Sequence, residues 1–213
     1  MVDDVADPDK SGRVRLQFPW LAEDYVSDWA RTLQPGAGKD RGWAVLPEVG
    51  DEVLVCFEQS DFSRPVVLGG LYNGVDTIPS GPADLVDSGS GAVNRRSLVS
   101  RLGHRVDLLD QGGAKEGVRL ATTGDKLLVN LDHTQTQITV HADGKVLIEG
   151  TQGVTIDSAG SPMELKGASI SLKATGGVTV DGGGGAVSVK SGSQLSLDGG
   201  GMATLKAGMV KIN

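Results

Sequence analysis

From residue 138 onward the apolar positions come as doublets, two residues apart: Ile138/Val140, Val146/Ile148, Val154/Ile156, Met163/Leu165, Ile170/Leu172, Val178/Val180, Val187/Val189, Leu195/Leu197, Ala203/Leu205 and Val210/Ile212. Their first members advance by 8, 8, 9, 7, 8, 9, 8, 8 and 7 residues, a mean of eight. Residues i and i+2 of a strand share a face, so each octad predicts a short strand burying one doublet, followed by a Gly- or Ser-rich corner. One such unit can neither satisfy its backbone nor cover its apolar face, and stacking becomes obligatory. Three corners close a triangular circuit of about 24 residues. A single chain wound this way makes a stub only ~15 Å tall, whereas three intertwined chains make a rod of ~45–50 Å. The intertwined trimer is the expected arrangement. The pattern runs in register to Met209-Val210-Lys211-Ile212-Asn213 without a capping element, and no aromatic residue interrupts it.

Before the repeat, the pattern is one of separate strands. Alternating or apolar runs at 14–20, 29–33, 42–46, 52–58 and 64–71 are divided by turn signals, among them Pro35-Gly36, Pro47-Glu48-Val49-Gly50-Asp51 and Asn73-Gly74. Five short strands in so few residues predict a small closed barrel. Further alternation at 97–101, 104–108, 117–121 and 126–131 predicts a β-rich neck. Helical periodicity is absent. The expected fold is therefore all-β: a small closed barrel at 1–76, a linker at 77–94, a neck at 95–136 and an octad-repeat needle at 137–213.

Composition sharpens that division. All eight aromatic residues fall in residues 1–80, as do only 8 of the 32 glycines. Residues 1–80 carry 14 acidic and 7 basic side chains, against 13 of each in 81–213. The acidic balance opposes sequence-independent nucleic-acid binding, which needs cations to replace phosphate counterions. No apolar run approaches the ~20 residues of a membrane-spanning helix. Met1 is followed by the acidic Val2-Asp3-Asp4 rather than a signal peptide, and Cys56 is a lone cysteine, so assembly in the cytoplasm is expected.

Candidate chemistry is sparse. Cys56 lies in Val53-Leu54-Val55-Cys56-Phe57 and reads as a buried structural thiol. His104, Asp107 and Asp110 suggest a metal or acid–base site, but alternation separates His104 from Asp107, and solvent-facing polar residues are expected. Glu58 and Asp61 border a turn and read as a solvated loop. Trp20, Trp29 and Trp43 are expected in the barrel core, the alternative being a stacking platform for sugars. Gly182-Gly183-Gly184-Gly185 lacks the Asp of a calcium nonapeptide, Val187 standing in its place, and reads as a tight corner. Lys166, Lys173, Lys190, Lys206 and Lys211 read as the solvated outer face. No catalytic, cofactor or metal residue is expected.

Gly12-Arg13-Val14-Arg15-Leu16-Gln17-Phe18-Pro19-Trp20-Leu21 resembles the GRVRVRFPWL segment of VgrG and baseplate-V spike proteins. Leu46-Pro47-Glu48-Val49-Gly50-Asp51-Glu52-Val53 and Arg64-Pro65-Val66-Val67-Leu68-Gly69-Gly70-Leu71-Tyr72-Asn73-Gly74 continue the resemblance. Arg101-Leu102-Gly103-His104-Arg105 is similar to the segment that follows the barrel in these spikes. The resemblance implies an OB-fold barrel marked by Trp20, Trp29, Trp43, Pro47, Gly50 and Asp51. It implies a triple-stranded β-helix cored by the doublets, and a homotrimer that pierces a target cell envelope. Partners implied are tube, hub and baseplate proteins at the N-terminal end and a PAAR-repeat tip protein at the C-terminal end, bound through Val210, Ile212 and Asn213. Larger members carry hub domains ahead of the barrel, and an excised fragment is expected here. His104, His133 and His141 precede or open the repeat, so a His-x-His iron tip is not expected. A carbohydrate- or surface-binding barrel on a β-helical stalk is the alternative.

Overall fold

A computed structural model describes residues 1–22 and 24–211. The chain divides into two units, Met1–Ile148 and Glu149–Asn213. All regular structure in the described residues is β, apart from two single 3-10 turns at Glu58–Ser60 and Thr123–Asp125.

The first unit opens with a barrel. Strand β1 (Val2–Asp4) pairs antiparallel with β2 (Arg15–Leu16), whose flanks bridge onward through Val14 to Ala30 and Gln17 to Val26. Strand β3 (Arg31–Thr32) runs parallel to β5 (Pro65–Gly70), and β5 pairs antiparallel with β4 (Val53–Phe57). The Val2 N–H donates to the Asp51 carbonyl at 3.0 Å, which carries the ladder back to β1 and closes the circuit. Inside it lie Val2, Val14, Leu16, Phe18, Ala30 and Val67, with Val53, Val55 and Phe57 packed against them. Every second residue of β4 points inward, as a pleated strand over a core requires.

Two expectations change here. Gly42–Leu46 forms no strand. The Gln34 side chain takes a strand's part instead: its Nε2 donates to the Val45 carbonyl at 2.9 Å and its Oε1 accepts from the Val45 N–H at 3.0 Å. Gly42 is fixed by close approach, since a Cβ there would stand 1.9 Å from the Gly36 carbonyl oxygen. Conversely Val2–Asp4, read as an acidic run, is a strand, because Val2 supplies the apolar side chain that fills the barrel beside Leu16.

An antiparallel meander follows: β6 (Arg95–Val99), β7 (Arg105–Gln111), β8 (Lys115–Ala121), β9 (Leu127–Asp132) and β10 (Gln137–Ala142), in the spatial order of the sequence. The registers Leu98↔Val106↔Leu120↔Val129↔Val140 and Leu108↔Val118↔Leu131↔Ile138 put one aliphatic set on one face. The other face carries Arg95, Asp107, Leu109 and Ala121, and residues 79–83 lie against it. The first doublet, Ile138/Val140, thus belongs to the last strand of this sheet.

The second unit differs in kind. Among its described residues no strand pairs with another, and hydrogen bonds are confined to corners: Gly153 N–H to Gly150 O, Ser161 N–H to Ser158 O, Gly185 N–H to Gly182 O and Met202 N–H to Gly199 O. Asp157, Asp181 and Asp198 each accept, through Oδ1, the N–H two residues on, at 2.8–2.9 Å. These are Asx turns at the Gly-rich positions where the octads change direction.

Candidate functional site

The doublets from residue 146 onward are apolar, regularly spaced and uncovered. Val178 and Leu195 are 59% and 53% exposed, and Val180 and Leu197 72% and 81%. Val146, Ile148, Val154, Ile156, Ile170, Leu172, Val187, Val189 and Val210 are exposed to a similar degree. Ile212 and Asn213 lie outside the described residues. Two aliphatics per octad yield ~1.5–3 kcal/mol each on burial, while ordering a backbone costs ~1–2 kcal/mol per residue. An octad alone therefore cannot hold its own strand.

A second apolar surface is the open face of the β6–β10 sheet, where Leu98, Leu108, Leu120, Leu131, Ile138 and Val140 are all at least 43% exposed. Charge rims one end: Arg96 pairs with Asp110 at 2.6 Å, and His133 lies 3.7 Å from Glu116. A cavity of ≈ 720 Å³ at the other end is lined by Val45, Leu46, Leu98, Val106 and Leu120.

The polar side of that sheet holds a clamp that alternation alone misses. Asp107, expected in solvent, is fully buried. It accepts from Arg105 Nε at 2.6 Å and Nη2 at 2.8 Å, and from Ser97 Oγ at 2.5 Å. Arg95, 3% exposed, donates to Ser97 Oγ, to Ala83 O at 3.0 Å and to Pro79 O at 2.7 Å, while Arg105 Nη1 reaches Ser80 O at 2.9 Å. Gly81 lies against both guanidinium groups; an added Cβ would stand 2.5 Å from Arg95 and 2.7 Å from Arg105. Burial alone would raise the Asp107 carboxyl, but hydrogen bonds from Arg105 and Ser97, with the charges of Arg105 and Arg95, hold it below the ordinary 3.8. Segment 79–83 is thereby pinned to the sheet. His104 sits apart on the exposed side, its Nδ1 accepting from the Thr123 N–H at 3.3 Å.

The barrel residues separate too. Trp20 is 77% and Trp43 59% exposed, so the core is aliphatic around Phe18 rather than built on indoles. Trp29 is half-buried beneath the Arg15 guanidinium, 5.8 Å from its ring centroid. Asp51 accepts the Glu48 N–H at 2.8 Å across the Pro47–Gly50 turn, where Gly50 adopts φ 95°. Cys56 points outward with Leu54, opposite Val55 and Phe57, and is exposed rather than buried. Glu58 joins Arg31 and lies 3.8 Å from Arg64, and Asp61 caps Ser63; both belong to the turn. Asp7, missed in the sequence, ties the 7–13 loop: it accepts from Arg13 Nη2 at 2.6 Å and the Ser11 N–H at 2.9 Å. The Arg13 guanidinium holds the Asp7 carboxyl far below the usual carboxylate range. Its signal was the Asp7-Pro8-Asp9 start of a loop ending in Arg13.

Residues 1–72 match the type VI secretion system/phage-baseplate injector OB domain. The matched residues are those of the barrel. The chain is 31% identical over 113 residues to the type VI secretion system spike protein VgrG1c of Pseudomonas aeruginosa, covering 51% of this chain and 16% of that one. It is 30% identical over 131 residues to VgrG1b of the same organism, 59% of this chain and 18% of the relative. Against VgrG3 of Vibrio cholerae it is 30% identical over 132 residues, 60% and 13% of the respective lengths. The chain thus spans less than a fifth of the length of these VgrG relatives. Its resemblance to spike proteins extends past the barrel, since two of the matches are longer than residues 1–72 by some sixty positions.

Proposed function

We propose that this chain is a mechanical, non-enzymatic spike component of a contractile injection system, of phage-tail, type VI secretion or extracellular type. Three copies wind the octads from Val146 onward into a triple-stranded β-helix, and contraction drives that needle through the target envelope. Tube, hub and baseplate proteins seat the barrel end. A PAAR-type tip protein seats on Val210, Ile212 and Asn213. The carrying observation is the run of doublets exposed by about half or more in the single chain, with no strand partner among the described residues. Only other copies present the same eight-residue step, so only they can pair every octad. The particle is assembled in the cytoplasm and acts outside it.

Native mass spectrometry tests this reading. A species of about 66 kDa, three times the 22.0 kDa chain, is expected. A Val178→Asp or Leu195→Asp chain, placing three carboxylates on one axis, should remain at 22.0 kDa. A heat-stable trimer from either variant would overturn the inward assignment. The exposed indoles of Trp20 and Trp43 favour a second reading, a carbohydrate- or surface-binding barrel on a stalk, and saturable binding on a glycan array would support it.

A further inference from the structure

An eight-residue repeat specifies that chains pair but not where they start. Sliding one copy by eight residues still sets five of its ten doublets opposite doublets and leaves four more a single residue away, all built from the same few aliphatic residues. Gly-rich strands of this kind hold register weakly. A non-repeating surface must align the copies first. The β6–β10 sheet is such a surface: its strands are complete within one chain, their lengths are 5, 7, 7, 6 and 6 residues, and no octad step relates them. Five strands ~4.8 Å apart and ~20 Å long make a face of about 480 Å², towards the upper end of what a soluble monomer leaves open. An apolar centre with a charged rim, here Arg96, Asp110 and Glu116, is how interfaces are built. The last strand carries Ile138 and Val140 on that same face, and the repeat follows it directly in the sequence.

Resting on the trimeric reading above, we infer that the open face of β6–β10 packs against the same face of other copies and sets the register in which the octads wind. The sheet folds within each chain, the faces meet, and the octads zip from Val146 towards the C-terminus. The needle then begins with all three chains level.

The full-length chain carrying Leu108→Glu and Leu131→Glu tests this. Both side chains are exposed by more than 40% in the single chain, so the sheet itself tolerates them. Hydrogen exchange of the β6–β10 amides verifies that it remains folded, and a milder Leu120→Gln chain is run beside it. After refolding from denaturant, the double variant should form trimer at least tenfold more slowly than wild type, or not at all. Trimers that do form should lose one C-terminal octad from some chains under a Lys-specific protease, which cuts at Lys206 once that rung is unpaired. Leu120→Gln should fall between. Refolding as fast as wild type with intact C-termini in both variants would overturn the inference. A wild-type mass of 22.0 kDa would instead overturn the trimer on which it rests.

Discussion

Asp107 shows how a single carboxylate organises the polar side of the sheet. Its charge is buried because the Arg105 guanidinium and the Ser97 hydroxyl meet it, with the Arg95 charge nearby, and removing one member of such a set leaves the others uncompensated. Asp107→Asn is expected to destabilise the first unit by on the order of 3 kcal/mol, measured by urea unfolding followed through β-sheet circular dichroism. Gly81→Ala should loosen the same clamp from the other side by pushing a methyl group into Arg95 and Arg105, and should cost no further stability in an Asp107→Asn background. The pH dependence has a definite sign. A carboxylate held below 3.8 in the folded state contributes stability that is complete above that value and is lost as pH falls through the folded one. The wild-type unit should therefore weaken below about pH 4, and Asp107→Asn should flatten that part of the profile. An acid limb unchanged by the substitution would show that Asp107 carries none of it. None of this was visible in the alternation of residues 104–110, which places Asp107 on a face but cannot say that residues 79–83 return to cover it.

At the scale of elements, periodicity was the readable signal and its failures have physical causes. Strands β4 through β10 fall within a few residues of the alternating runs, because a half-buried strand must alternate. The 42–46 run is apolar enough for a strand, yet the Gln34 amide satisfies Val45, and Gly42 tucks under Gly36. Val2–Asp4 escaped notice because one buried valine among acids makes no pattern. Cys56 and the tryptophans were misplaced for one reason: burial depends on which face of a short strand meets the core, and hydrophobicity alone does not report it. The octads themselves were legible as a period, while among the described residues of the single chain no strand pairs with them. A deletion tests the element directly. Removing residues 170–177, which run from one doublet to the next, subtracts one whole octad and should leave a trimer shorter by ~4.8 Å. Removing residues 170–173 instead brings corner residues to doublet positions and should abolish assembly. Electron microscopy and native mass distinguish the outcomes; equal tolerance of both deletions would mean the octad is not the structural unit.

At the scale of the whole molecule, the two units owe their stability to different sources, and unfolding should separate them. The barrel has its own core around Leu16 and Phe18, so its stability is independent of protein concentration. Among the described residues no doublet from Val146 onward is covered, so on the trimeric reading the stability of the octads comes from association and rises with concentration. All three tryptophans lie in residues 1–80. Their fluorescence therefore reports the barrel alone, while circular dichroism reports every strand. Guanidinium titration should give a fluorescence transition that superimposes at 1 and 100 μM chain, and a later circular-dichroism transition that moves upward with concentration. The second transition should also be slow and depend on incubation time, because intertwined chains must unwind through one another before any can leave. Coincident transitions at both concentrations would mean that barrel and octads share one folding unit, whereas among the described residues the buried apolar side chains all precede residue 149.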